Sequence, residues 1–335
     1  LYAMHWPYKQ LKTSRDKKLL PFHHDLKNKG ACFGQVAGYE RPMWYALNGN
    51  KPEYEYSYGY QNWYESAKYE TINTRKNVGL FDLSAFAKFE IKGNSAFKDL
   101  QRLCCTNIKN DPGKTTYTQM LNSNGGIVAD LTVTCINEKF FRVITGSSVK
   151  EHDKKHIIEN LSKDTTLTDI TEDLACLGIF GPKSRELLKN IFGEYFSTND
   201  FMFGTAKDIK FNDNNIIFQR LSFVGELGWE IYIPINISRD IYLKLVDYGK
   251  KYGLVHAGGH ALDIMRMEKG YLHWGHDISP AENPYEAGLE FNVKLDKKID
   301  FIGKESLKTK NRKKKQQLTN FVLDKSKPGA PLLLH

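Results

Sequence analysis

Residues 117–135 constrain the fold most, because they specify a β-hairpin and a candidate reactive group together. Strand-forming runs flank Asn122-Ser123-Asn124-Gly125, and Asn-Gly supplies the positive φ angles that a tight reversal needs. Period-two alternation then places Asp130 on the polar face of the second arm. A four-residue loop predicts Leu121 opposite Gly126 and Tyr117 opposite Asp130. Because Asp is depleted within strands, Asp130 is either a solvated residue or a functional one.

The same hairpin carries a family resemblance. Its pattern Y-T-Q-x-L-N-x-x-G-G-I-x-x-D-L-T-V resembles the signature hairpin of the folate-binding aminomethyltransferase family. That family includes the glycine-cleavage T-protein and the C-terminal halves of dimethylglycine and sarcosine dehydrogenases. The resemblance implies that Asp130 is the catalytic residue beside tetrahydrofolate, and that Tyr117, thirteen residues upstream, lines the same pocket.

A second informative stretch is residues 220–234, where a glycine-rich turn precedes an alternating strand. It resembles the family segment T-G-E-x-G-x-E, which implies that Glu230 binds the pterin ring. A carboxylate suits this role because it can accept hydrogen bonds from the adjacent 2-amino and ring N–H groups of a pterin. Phe223 stands where the T-protein branch usually has a tyrosine stacked on folate, so the resemblance implies stacking without the hydroxyl contact.

Residues 258–277 predict a helix that Gly270 ends, and they resemble the family motif A-x-D-x-x-R-x-E-x-G. The variants H-A-L-D and H-W-G-H-D are similar to the dehydrogenase branch. Leu262 occupies a folate-contacting position at which the T-protein branch tends to carry arginine, and this disfavours a glycine-cleavage assignment. Tyr285, in the similar loop that follows, is a further candidate contact to the ligand.

The pattern of elements predicts an α+β fold with mixed β-sheets and helices, and the resemblance implies the T-protein-like folate-binding fold. Residues 1–58 are interpreted as an irregular linker after an absent flavin domain, 59–310 as the folate-binding domain, and 316–335 as the start of a truncated C-terminal β-barrel. The element predictions are as follows: helices at 63–78, 95–104 and 150–161 and after Pro182, with Gly79 ending the first and Ser95 capping the second; strands at 86–92, 140–145, 175–180 and 318–324.

Composition excludes several classes of protein. Hydrophobic residues at 41% and aromatic residues at 13% exclude a disordered chain, while the formal charge of +9 suits nucleic acid, anionic lipid or a polyanionic small molecule. Five cysteines without C-x-x-C spacing indicate reduced core residues rather than disulfides or zinc ligands. No apolar span or signal peptide is found, which predicts a cytoplasmic protein, or a mitochondrial matrix protein in a eukaryote, without a membrane partner.

Together these motifs imply the tetrahydrofolate-dependent half of a dimethylglycine or sarcosine dehydrogenase-like enzyme. An upstream FAD domain would oxidise an N-methyl amine to an iminium, and this half would capture the one-carbon unit as 5,10-methylenetetrahydrofolate. Asp130 would orient and deprotonate the accepting amine and favour the iminium by its charge, with no metal required. No dinucleotide fingerprint G-x-G-x-x-G occurs, so no FAD is expected in this chain itself.

Three alternatives remain open. The first is a free-standing glycine-cleavage T-protein or another folate-dependent enzyme. The second is a non-catalytic folate-binding protein of iron–sulfur assembly. That branch carries the motif K-G-C-Y-x-G-Q, whereas residues 269–275 of this chain read K-G-Y-L-H-W-G and lack the cysteine. The third is a basic nucleic-acid-binding module, which the charge permits and no motif supports.

Overall fold

The computed structural model describes residues 9–47, 49–57, 59–310 and 316–322. The strands are β1 (Lys18–Leu19), β2 (Ala31–Val36), β3 (Tyr39–Tyr45), β4 (Val78–Asp82), β5 (Ala87–Gly93), β6 (Thr115–Leu121), β7 (Ile127–Asn137), β8 (Phe140–Thr145), β9 (Thr165–Asp169), β10 (Leu174–Phe180), β11 (Ala206–Phe211), β12 (Asn214–Gln219), β13 (Gly228–Pro234) and β14 (Leu254–His256). The α-helices are α1 (His23–Asn28), α2 (Tyr64–Lys76), α3 (Ala96–Leu103), α4 (Lys150–Ile158), α5 (Ser184–Phe192), α6 (Ile235–Gly249), α7 (Gly259–Glu268) and α8 (Lys304–Lys310).

The strands form three sheets. A six-stranded sheet has the order β11-β12-β13-β10-β4-β14, a five-stranded sheet has the order β6-β7-β8-β5-β9, and a small N-terminal sheet has the order β1-β3-β2. Most pairs are antiparallel, whereas β14 runs parallel to β4 and β1 runs parallel to β3. Mixed sheets with helices confirm the predicted α+β class.

Helices cover the outer face of each large sheet. On the five-stranded sheet, alternate residues such as Leu131 pack with Leu100 of α3 and Ile157 of α4. On the six-stranded sheet, Ile231 packs with Leu188 of α5 and with α6. Burial of one face of each strand explains the period-two patterns in the sequence.

The inner faces of the two large sheets meet in a smaller apolar cluster, here called the inner layer. Its buried members are Phe81, Leu83, Ile144, Cys176, Phe180, Val224, Tyr232, Ala257, Ala261 and Met265. Ile144 comes from the five-stranded sheet, Tyr232 from the six-stranded sheet, and Ala261 and Met265 from α7. Polar side chains that point into this layer therefore lie between two sheets.

Several local predictions need correction. The N-terminal region is not irregular, because β2 and β3 pair and Phe22 and Tyr45 enter the main core. Gly79 lies inside β4 rather than ending a helix, and the Thr74 side chain fills the space a Cβ would need there. Helix α5 begins at Ser184, two residues after Pro182.

Other outcomes concern caps, cysteines and the C-terminal segment. Ser95 precedes α3 as predicted, but its hydroxyl donates to Asp164 instead of capping the helix. The strand predicted at 318–324 is absent from residues 318–322, and its remainder lies outside the described residues. All five cysteines are buried and free, which confirms their interpretation as core residues. The proposed domain boundaries stay predictions.

None of the helices in the described ranges combines the length and apolar character that crossing a membrane requires.

Candidate functional site

The β6–β7 hairpin forms as predicted, but with a different register. Leu121 pairs with Ile127 and Met120 with Ala129, so Val128 is an extra residue in β7. Asp130 therefore lies opposite Gln119, and the predicted pairing of Asp130 with Tyr117 is wrong by two residues. A shift by two residues preserves the face, so Tyr117 and Asp130 still share one surface.

Contacts with a distant segment explain this register. The Ile127 N–H donates to the Glu282 carbonyl at 2.9 Å, and the Ile127 carbonyl accepts from Trp274 Nε1 at 2.9 Å. The start of β7 is thus held by the loop after α7 as well as by β6. A hairpin considered alone contains no information about these partners.

Asp130 is a partly buried carboxylate on the face of β7 that points away from the helices. Gln119 Nε2 donates to Asp130 Oδ1 at 2.7 Å. Burial raises the pKa of Asp130 to about 6, although hydrogen bonds from Gln119 and Tyr117 oppose that rise. Asp130 is therefore mostly ionised at neutral pH and can still accept a proton there.

Gln119 was missed as a site residue, although it is the third letter of the Y-T-Q pattern. It is fully buried, and its Oε1 accepts from Asn292 Nδ2 at 3.1 Å. Because the amide oxygen is occupied in this way, the amide N–H₂ faces Asp130. Asn292 and Gln119 thus fix the orientation of the carboxylate from a segment 173 residues away.

Tyr117 and Tyr285 lie in one apolar cluster with Leu121 and Ile127. Burial and the neighbouring Asp130 carboxylate raise the pKa of Tyr117, so its hydroxyl stays protonated. Tyr285 is buried at 8% exposure, and burial raises its pKa as well. The structure therefore groups these two predicted contacts on the Asp130 side of the site.

Glu230 points into the inner layer from β13. It is 7% exposed, the Tyr232 hydroxyl donates to its Oε2 at 2.5 Å, and burial raises its pKa. Its cross-strand neighbours are Gly178 and Gln219. A carboxylate buried among apolar groups with a neutral donor is costly to the fold, and such sites are often functional.

The remaining two predicted residues lie at apolar positions. Leu262 of α7 packs against the inner layer. Phe223 is half-buried in the loop before β13, and its ring centroid lies 6.3 Å from that of Tyr271.

The polar groups of the inner layer extend along β7. Asp130 and Thr134 share a face, and the Thr134 hydroxyl donates across the layer to Gln219 Oε1 at 3.3 Å. Four strand residues span about 13 Å. The site is thus elongated, with Asp130 towards one end and the Gln219–Glu230 pair towards the other. In the described ranges, no group of three or more His, Cys, Asp or Glu could hold a metal.

Comparisons with known proteins agree with this architecture. The family model described as "GCVT N-terminal domain" matches residues 22–297. A 4-methylaminobutanoate oxidase (formaldehyde-forming) from Paenarthrobacter nicotinovorans is 40% identical over 92% of this chain, and human mitochondrial sarcosine dehydrogenase is 32% identical over 91%. This chain spans only 37% and 38% of those two proteins.

The solved structure of glycine cleavage system aminomethyltransferase T from Bartonella henselae has a similar fold. Its TM-score is 0.75 with 23% identity, over 88% of this chain and 75% of the other. At this level of identity the likeness concerns the fold alone, and it confirms the fold that the hairpin motif implied.

Proposed function

The chain belongs to the GCVT N-terminal domain family, and we propose that it is the tetrahydrofolate-binding part of an N-methyl amine oxidoreductase. In this proposal, a flavin-dependent part outside these residues oxidises the amine, and the one-carbon unit leaves as 5,10-methylenetetrahydrofolate. The names of the oxidase and dehydrogenase relatives support this class of reaction. The amine oxidation is assigned elsewhere because this chain spans under two fifths of either relative.

The observation that carries the proposal is the elongated polar site between two sheets. A reduced folate is itself elongated, with adjacent N–H donors on its pterin edge and amine nitrogens further along. Glu230 would accept from the pterin donors, while Tyr117, Phe223, Leu262 and Tyr285 would contact the remainder of the molecule. The buried Gln219 Nε2, which has no partner among the described residues, supports a polar ligand at the Glu230 end.

When bound, the reduced folate supplies the amine nitrogen that takes up the one-carbon unit. Asp130 accepts the proton that this amine loses, and its negative charge stabilises a cationic donor nearby. Gln119 donates to Oδ1 of Asp130 and Tyr117 hydrogen-bonds to the same carboxylate, so both side chains hold that carboxylate in position for the reacting amine. Tyr117 stays neutral and can donate a hydrogen bond at the same end. Holding both reactants in contact contributes most of the acceleration.

A second candidate function is release of the one-carbon unit as free formaldehyde. It is favoured by the relative whose name includes "formaldehyde-forming". The two candidates differ in the fate of the one-carbon unit rather than in the oxidation of the amine, so a measurement of the product separates them.

The test uses the intact enzyme that contains this chain, supplied with an N-methyl amine and tetrahydrofolate. For Asp130→Asn we expect amine oxidation to continue while 5,10-methylenetetrahydrofolate formation falls by about 10²–10⁴-fold, the usual cost of losing a general base, and formaldehyde accumulates. Asp111→Asn, an exposed aspartate before the same hairpin, is the control and should match the wild type. Formation of 5,10-methylenetetrahydrofolate by Asp130→Asn at the wild-type rate would exclude the role of Asp130. A wild type that yields formaldehyde alone would favour the second candidate.

A further inference from the structure

We propose that Gln219 is a second residue that recognises the pterin edge, by donating a hydrogen bond from Nε2 to the 4-oxo group. This inference rests on the proposed function and adds to it the basis on which one heterocycle is selected. Nothing in the sequence motifs singled out Gln219.

The first argument is position. Gln219 of β12 pairs directly with Glu230 of β13, so both side chains point into the inner layer. Directly paired residues have Cβ atoms about 4.5–5.5 Å apart. Gln219 is 1% exposed, so its amide has little access to solvent. The two side chains can therefore contact neighbouring atoms of one planar ligand.

The second argument is the orientation of the amide. Gln219 Oε1 accepts from the Thr134 hydroxyl, and the oxygens of Thr134 and Thr115 lie 2.9 Å apart in a further hydrogen bond. With Oε1 engaged, the N–H₂ end of Gln219 is the end that remains available. Glu230, the adjacent acceptor, is itself bonded to the Tyr232 hydroxyl.

The third argument is the unsatisfied donor. Gln219 Nε2 is buried and has no hydrogen-bond partner among the residues that the structure describes. Nε of Arg142 is likewise buried without a hydrogen-bond partner among the described residues. Arg142 is the cross-strand neighbour of Thr134 in the five-stranded sheet, which faces Gln219. An unsatisfied buried donor destabilises the folded state and is rare in folded proteins. Two such donors on either side of Thr134 indicate that a ligand acceptor belongs there.

The chemistry of a pterin supplies that acceptor. Its 2-amino and N3–H donors are adjacent, and the 4-oxo group lies next to N3. Glu230 would accept from the two donors while Gln219 donates to the carbonyl, so the pair would match three consecutive groups. A 2,4-diaminopteridine has an amino group in place of the carbonyl and no hydrogen on N3, so it would direct a donor at the Gln219 donor and offer Glu230 one donor fewer.

The experiment is calorimetric titration of the protein with tetrahydrofolate and with its 4-amino analogue. The wild type should prefer tetrahydrofolate. Gln219→Leu should weaken tetrahydrofolate binding by roughly tenfold, as expected for loss of one buried hydrogen bond, and leave the analogue unchanged. Gln219→Glu, which keeps the shape and offers an acceptor, should weaken tetrahydrofolate binding and strengthen binding of the 4-amino analogue relative to the wild type.

Asn215→Leu, an exposed position on the same strand, is the matched control and should retain the wild-type preference. The inference is overturned if both Gln219 variants retain the wild-type ratio of affinities for the two compounds. If Gln219→Leu does not fold, the same result for Gln219→Glu alone overturns it. If Glu230→Gln still weakens tetrahydrofolate binding in that case, the proposed function stands and only this inference fails. If the wild type binds neither compound, the proposed function fails too.

Discussion

Asp130 and Glu230 illustrate how single residues in this protein oppose stability. Each is a carboxylate within or beside an apolar layer, and burial raises the pKa of each. Their hydrogen-bond partners are neutral donors, Gln119 and Tyr117 for Asp130 and Tyr232 for Glu230. A neutral donor compensates only part of the desolvation of an ionised group. Both residues thus carry a folding cost that their role in ligand binding would explain.

This cost predicts that Asp130→Asn stabilises the protein at neutral pH. The folded-state pKa of about 6 exceeds the ordinary value of 3.8, so folding favours the protonated form. The favourable contribution is complete below about pH 4 and is lost as pH rises through 6. At pH 7.5 we expect Asp130→Asn to unfold with a free energy about 1–2 kcal/mol higher than the wild type, since partial exposure reduces the full shift.

Urea denaturation at pH 7.5 and pH 4 measures this difference. The advantage of the variant should largely disappear at pH 4, where the folded-state carboxyl is protonated and the unfolded-state carboxyl, with its ordinary pKa of 3.8, is about half protonated. The assigned pKa would be contradicted if the variant were less stable than the wild type at pH 7.5. It would also be contradicted if the variant exceeded the wild type by the same free energy of unfolding at both pH values.

At the scale of elements, Glu70 connects parts of the chain that lie far apart in sequence. This buried residue of α2 accepts from the Tyr45 N–H of β3 at 2.7 Å and from the Gly258 N–H before α7 at 2.9 Å. Burial raises its pKa to about 8. The position of α7, and so of Leu262, therefore depends on a side chain of another helix.

We expect Glu70→Ala to lower the free energy of unfolding by about 2–4 kcal/mol, because two backbone N–H groups lose their acceptor inside the protein. Glu65→Ala is the matched control on the same helix, and it should stay within about 0.5 kcal/mol, since the Glu65 side chain is 72% exposed and pairs only with Lys68 at 3.3 Å in the described structure. Chemical denaturation of both variants checks this, and equal effects would refute the connecting role of Glu70.

Some elements could be predicted from the sequence, for identifiable reasons. β5 and β8 each have one face in a core, so their alternation is strong and their predicted bounds were close to correct. The register of β6 against β7 could not be predicted, because Glu282 and Trp274 hold Ile127 from outside the hairpin. The N-terminal sheet was missed because its short strands contain Pro42 and lack alternation.

The residues of the candidate site also divide into those that could be predicted from the sequence and those that could not. Asp130 and Glu230 stand out in a sequence because acidic residues are unusual within apolar strands. Gln119 and Gln219 do not, because a neutral amide looks the same on a surface as in a buried network. Their partners, Asn292 and Thr134, lie 173 and 85 residues away and become neighbours only in the fold.

At the scale of the whole molecule, two sheets face each other and helices cover their outer surfaces. The site lies between the sheets, so each sheet contributes one end of it. Asp130 belongs to the five-stranded sheet and Glu230 to the six-stranded sheet. A ligand that spans both ends would hold the sheets together, and ligand binding should therefore stabilise the entire fold.

The most direct measurement is calorimetric titration of the protein with tetrahydrofolate. We predict binding by the wild type, nearly unchanged affinity for Asp130→Asn, and a loss of about 1–3 kcal/mol for Glu230→Gln, the usual cost of spoiling a charge-assisted hydrogen bond. Glu138→Gln, at an exposed glutamate after β7, should bind as the wild type does. Absence of tetrahydrofolate binding, or equal affinity of Glu230→Gln and the wild type, would contradict the assignment of this site.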